Sequence, residues 1–96
     1  MIKHIVCFKL HEPTETACHR AEEVLLSMIG NVPGIREIQV GVDFLRSARS
    51  YDVCLSVVVD DKAALEEYDN DPYHCNVVKT HMRAVCASSI TVDFEF

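Results

Sequence analysis

The chain has 96 residues, nearly half of them apolar and a quarter charged, with three glycines and three prolines. That balance suits one folded domain spanning residues 1–96, with a single core and no linker. A formal net charge of −6 argues against nucleic acid and anionic membrane as partners, since both are met by a basic face. No apolar run reaches the length of a membrane span. The first residues read as strand, not as a basic and then hydrophobic leader, so the expected location is the cytoplasm.

In chain order, IKHIVCFKL alternates Ile2, His4, Val6, Phe8 and Leu10 against Lys3, Ile5, Cys7 and Lys9, the period of a strand with His4 on its apolar side. Pro13 stops that pattern. Thr14 or Thr16 then caps a helix whose Ala17, Ala21, Val24, Leu25 and Met28 recur at helical spacing, and Gly30 and Asn31 end it. From Pro33 to Asp61 the chain reads as two strands joined by a loop containing Arg46, expected as the middle of the sheet. Ile38, Val40, Val42 and Phe44 alternate in the first strand. The second, from Asp52 to Val59, is almost continuously apolar, as an interior strand is. Arg46 and Arg49 with Asp52 are the arrangement that fixes a loop's geometry.

Asp60 and Asp61 cap a short helix, KAALEEYDND, with Ala64, Leu65 and Tyr68 as its apolar stripe. Asp71-Pro72 reads as a new cap with proline at the first helical position, opening a third helix lined by Val77, Val78, His81, Met82 and Val85. The last strand, SSITVDFEF, separates Ile90, Val92, Phe94 and Phe96 from Ser89, Thr91, Asp93 and Glu95. The order predicts an α+β, ferredoxin-like split βαββαβ unit with helices on one face of an antiparallel sheet. The other face, read as Lys3, Ile5, Cys7, Lys9, Glu37, Gln39, Asp43, Cys54, Ser56, Val58, Thr91, Asp93 and Glu95, is mixed in polarity.

The cysteines Cys7, Cys18, Cys54, Cys75 and Cys86 are odd in number and lack a C-x-x-C pair, so neither a disulfide framework nor a zinc knuckle is written here. Most are expected to be small buried hydrophobes. Cys75, in the first turn of a predicted helix, is the redox candidate, with packing the preferred reading. His11, His19 and His81 have no metal-ligand spacing, and neither metal nor cofactor is assigned.

The opening MIKHIVCFKL, the turn GVDFLRSARSYDV and the segment YDNDPYH together resemble the stress-responsive α/β-barrel (Dabb) domain family, over the whole chain. The resemblance implies a ferredoxin-like unit that pairs sheet against sheet into a dimeric α/β barrel, making the mixed face a homodimer interface. The family includes plant olivetolic acid cyclase, and the resemblance implies that Tyr68, His74 and His4 match that enzyme's catalytic positions. Val53 and Asp71 stand where the cyclase has histidines, which separates this chain from the cyclase's substrate.

The residues themselves allow that chemistry. His74, third in its helix, sits where unpaired backbone N–H groups and the helix dipole favour a neutral imidazole. Tyr68 ends the preceding helix and can offer its hydroxyl beside it, a pairing able to polarise a carbonyl and remove an adjacent proton. The plainer alternatives are a capping histidine and a packed tyrosine. His4, a polar group on an apolar face, needs a partner, which Tyr68 or His74 can supply. The expectation is that the three converge on one cavity between the first strand and the helices. Three functions fit: a homodimer that binds a small apolar or phenolic molecule, a cofactor-independent cyclase or lyase, and a non-catalytic, heat-tolerant interaction module.

Overall fold

The computed structural model describes residues 1–96. Its elements are β1 (Ile2–Leu10), α1 (Glu15–Leu26), β2 (Glu37–Val42), β3 (Val53–Val59), α2 (Lys62–Asn70), a π-helical turn (His74–Val78), α3 (Lys79–Val85) and β4 (Cys86–Glu95). The strands form one antiparallel sheet in the order β2-β3-β1-β4. This is the expected ferredoxin-like arrangement. The hairpin of β2 and β3 is not the middle of the sheet: β3 is interior, but β2 is an edge, and β1 shares the centre.

Local chemistry sets the helix starts. Thr14 accepts a hydrogen bond from the Ala17 amide at 3.1 Å, and Asp61 accepts one from the Ala64 amide at 2.8 Å, so each cap satisfies an amide left open by its first turn. Past α1 the chain reverses at Gly30, whose φ of 81° costs a glycine little. Cys18, Ala21, Val24 and Leu25 of α1 and Met28 beyond it are buried together with Ile2, Leu10, Val53, Leu55, Val57 and Val59. These strand residues share one face, so the helices lie on that side.

The loop after β2 is tied to the sheet by Asp52, whose side chain is almost fully buried. Its carboxylate accepts from the Leu10 amide at 2.7 Å and from an Arg46 guanidinium nitrogen at 2.8 Å. Arg46 has a φ of 55°, and its amide donates to Asp43 at 2.8 Å. Arg46 and Asp52 therefore fix the loop; no ion pair involves Arg49. Phe44, expected to continue the β2 alternation, lies beyond the strand and is 91% exposed.

The facing of β4 differs from expectation. Lys3, Ile5 and Cys7 pair directly with Phe94, Val92 and Ile90, and residues directly opposite on neighbouring strands share a face. The apolar side of β4 therefore points away from the helices, while Thr91, Asp93 and Glu95 lie on the helix side. The reason is coverage: the helices pack over β1, β2 and β3, leaving β4 exposed along its length. Alternation shows that a strand has an apolar side but not which way it turns. The open face is consequently more apolar than the sequence suggested.

The cysteines also depart from expectation. Only Cys18 is buried, Cys54 is exposed, and the other three are half-buried, all with free thiols. No helix is long and apolar enough to cross a membrane.

Candidate functional site

The break between α2 and the next helix is built by Asp71 and Pro72. Asp71 is extended, with ψ at 134°, as a residue before proline tends to be. Its carboxylate accepts from the His74 amide at 3.0 Å, which makes it the cap and puts His74 third in the helix. The turn that follows is π-wound, with the Lys79 amide reaching back to the His74 carbonyl. Such a turn accommodates one residue more than an α-turn and recurs at functional sites.

The aromatic rings of the three candidates are grouped around Tyr68. Its centroid is 4.3 Å from that of His74 and 5.7 Å from that of His4, the latter edge-on. His74 is 7% exposed, and its Nδ1–H donates to the Tyr68 carbonyl at 2.8 Å. In the neutral ring this leaves Nε2 as the basic nitrogen. Burial penalises the imidazolium and pulls the His74 pKa below the ordinary histidine value, against the opposing pull of the Tyr68 carbonyl.

Tyr68 is 2% exposed and its hydroxyl has no hydrogen-bond partner. Burial, with a smaller push from Asp69, raises its pKa well above the usual phenol value, so it is a donor and not a base. His4 Nδ1 is hydrogen-bonded to the Asp93 carboxylate. Lys79 Nζ holds Asp69 at 2.8 Å, and that contact lowers the Asp69 pKa.

His4, Tyr68 and His74 all line one cavity of about 160 Å³, whose apolar wall is Val6, Phe8, Leu25, Leu55, Val78 and Met82. Asp69 and Lys79 complete its lining. A wider cleft of about 340 Å³ shares His4, Tyr68 and Asp69 and adds Asp93, Lys62, Leu65 and Glu66. A small apolar chamber with a few convergent polar groups opening to a broader cleft is the usual makeup of a small-molecule site.

Sequence reasoning missed Asp93, which it assigned to the opposite face. The signal that finds it is strand register, which sets Asp93 opposite His4. It also passed over Asp69 and Lys79, ten residues apart and brought together by the turn at Pro72. No group of three or more His, Cys, Asp or Glu side chains is arranged to hold a metal ion.

The family model described as the stress responsive A/B barrel domain matches residues 2–96. The chain belongs to that family. A dimeric ferredoxin-like protein of unknown function from Thermobifida fusca is similar to this Dabb chain, at 20% identity and a TM-score of 0.84, covering 99% of this chain and 90% of its own. A Dabb family protein from Mesorhizobium loti is 18% identical, with a TM-score of 0.84 and coverage of 99% and 95%. Hydroxynitrile lyase from Passiflora edulis is 13% identical, with a TM-score of 0.79 and coverage of 97% and 90%. These likenesses establish the Dabb fold alone. No curated protein sequence matches the chain.

Proposed function

We propose that this Dabb protein is a cytoplasmic homodimer that binds a small apolar or phenolic molecule between its sheet and its helices. The observation that carries the reading is the Tyr68 hydroxyl, buried without a partner at the wall of a cavity shared with two histidines. A buried unpaired hydroxyl costs about 1–3 kcal/mol, and a ligand oxygen that accepts its hydrogen bond offsets that cost. Size narrows the ligand further: an engineered cavity of ~150 Å³ takes a benzene ring. One small ring or a short carbonyl compound fills the chamber, and anything larger extends into the cleft beside Asp93.

A second reading, catalysis, is favoured by the fixed tautomer of His74. A neutral Nε2 beside a phenol donor can abstract a proton next to a carbonyl that Tyr68 polarises, as in an enolisation, aldol or lyase step. The Asp93 contact orients His4 at the mouth of the same chamber. The Passiflora relative is a hydroxynitrile lyase, an activity compatible with such a site and the ground for including small carbonyl compounds among the probes.

The dimer reading rests on the open sheet face, where Ile5, Ile90, Val92 and Phe94 form an apolar patch, and on the dimeric state of the Thermobifida relative. Binding is tested by titrating phenol, benzaldehyde and acetophenone into the wild type and Tyr68→Phe while following amide NMR shifts. The expected result is saturable shifts around Tyr68 and His74 that weaken at least severalfold in the variant. No shift with any probe, or shifts only on the open face, overturns the reading.

A further inference from the structure

The chamber beside Tyr68 and the wider cleft meet at His4, Tyr68 and Asp69, which line both. The two spaces differ in chemistry. The chamber of about 160 Å³ has mostly apolar walls, whereas the cleft of about 340 Å³ adds Lys62, Leu65, Glu66 and Asp93. Lys62, Leu65, Glu66 and Asp69 recur at the spacing of one helix face, so α2 turns a single polar side toward the cleft. A ligand that occupies both spaces therefore has an apolar body and a polar tail.

The charges around that tail are unevenly matched. Lys62 Nζ lies 3.1 Å from a Glu95 carboxylate oxygen. Lys79 Nζ donates to both the carbonyl and the carboxylate of Asp69, at 2.8 Å each, and Asp93 is hydrogen-bonded to His4. Glu66 is left without an ion-pair partner. The carboxylates of Glu66, Asp69, Asp93 and Glu95 thus face the ammonium groups of Lys62 and Lys79, and negative charge stays in excess even when His4 is protonated. An independent observation at the inner end points to a ligand: the Tyr68 hydroxyl, 98% buried by its 2% exposure, has no hydrogen-bond partner.

We propose that the ligand of this site is a small phenol or carbonyl compound that carries an amine, with its ring in the chamber against Tyr68 and its ammonium group in the cleft beside Glu66. This rests on the binding reading above and adds the ligand's charge to it. The Tyr68 hydroxyl donates to the ligand oxygen, and the Glu66 carboxylate accepts from the ammonium group. Asp69 and Asp93 add to the negative potential there. A carboxylate tail would meet the same groups as repulsion, so the cleft selects by sign of charge. Glu66 is exposed, and water and salt screen the contact, which sets the discrimination at severalfold. His4 and Asp93 lie on the helix side of the sheet, away from the face proposed for the dimer.

The test titrates three phenols with tails of matched length, tyramine, tyrosol and 4-hydroxyphenylacetate, into the full chain at low salt and neutral pH while following amide NMR shifts. Tyramine should bind about three- to fivefold tighter than tyrosol, and 4-hydroxyphenylacetate weaker than tyrosol by a similar factor. Both gaps should shrink as salt is added, and Glu66→Gln should bring tyramine down toward tyrosol. If tyrosol shifts the Tyr68 and His74 amides but tyramine binds no tighter, or the carboxylate binds as well as the amine, the charge inference fails and the binding reading stands. If none of the three shifts those amides, both fail. A preference for tyramine that persists unchanged in Glu66→Gln overturns the place given to Glu66, and the wild-type series decides the sign of charge whether or not that variant folds.

Discussion

The ring of His74 hydrogen-bonds through Nδ1 to the backbone carbonyl of Tyr68, 2.8 Å away, across the Pro72 break. The carbonyl accepts the Nδ1–H hydrogen bond, so in the neutral ring Nδ1 keeps the proton and Nε2 carries none. The contact also joins the end of α2 to the start of the next helix, so the two side chains keep a common frame.

His74 makes stability depend on pH in a defined direction. Its folded pKa lies below its unfolded value, mainly through burial, so the unfolded chain binds more protons at mildly acid pH and stability rises with pH there. The contribution of neutral His74 is complete above the unfolded value of about 6.5 and is lost as pH falls below it. Urea unfolding at about pH 7.5 and about pH 5 should show a larger loss for wild type than for His74→Gln. Equal losses would mean that His74 is not held neutral by the fold.

Tyr68→Phe removes a hydroxyl that has no partner while keeping the ring between the histidines. Stability should stay level or rise by up to about 1 kcal/mol, because the unmade hydrogen bond and its desolvation disappear together. A loss of more than about 1 kcal/mol in urea unfolding would show that the hydroxyl is bonded in the native state.

Asp52→Ala should destabilise the fold by about 2 kcal/mol, chiefly by leaving the buried Leu10 amide without its acceptor. Asp52→Asn keeps an acceptor oxygen and should cost less. Faster hydrogen exchange at the Leu10 and Arg46 amides is the local signature. Unchanged exchange at both amides in Asp52→Ala would remove Asp52 as the loop's anchor.

Dimerisation through the open sheet face should fail when a charge is placed on it. Val58→Asp should split the dimer, but Val58 is 3% exposed within one chain, so the change also threatens the fold. Val92 is 59% exposed and gives the cleaner test. Sedimentation at low micromolar concentration should find wild type at twice the chain mass and folded Val92→Asp at one chain mass. A folded Val92→Asp that remains at twice the mass would place the interface elsewhere.

Features encoded within a few residues were legible in the sequence: a cap at Thr14 or Thr16, of which Thr14 serves, a cap at Asp60-Asp61, of which Asp61 serves, the Asp71-Pro72 start and the bounds of β1. So was the ferredoxin-like order of elements, which needs only the kind of each segment. The meeting of His4 with Tyr68 followed from which side of β1 faces the helices. Asp93 was not legible, because its partner His4 lies 89 residues away and its facing depends on strand register. Phe44 was misread because alternation runs on past the point where Asp43 and Asp52 turn the chain. The π-turn was hidden as well, since its residues keep the apolar spacing of an ordinary helix.

That π-turn gives the segment after Pro72 a slack of one residue. In an unbroken α-helix each added residue turns everything beyond it by about 100°, whereas a bulge absorbs the surplus where it sits. Val78 and Met82 can therefore remain seated in the core while the stretch between them and Asp71 changes length. A chain shortened by one residue here, at Asn76 for instance, would still begin at the same cap and end in the same core. What it would forfeit is the widened turn beginning at His74, beside the chamber that His74 and Val78 line.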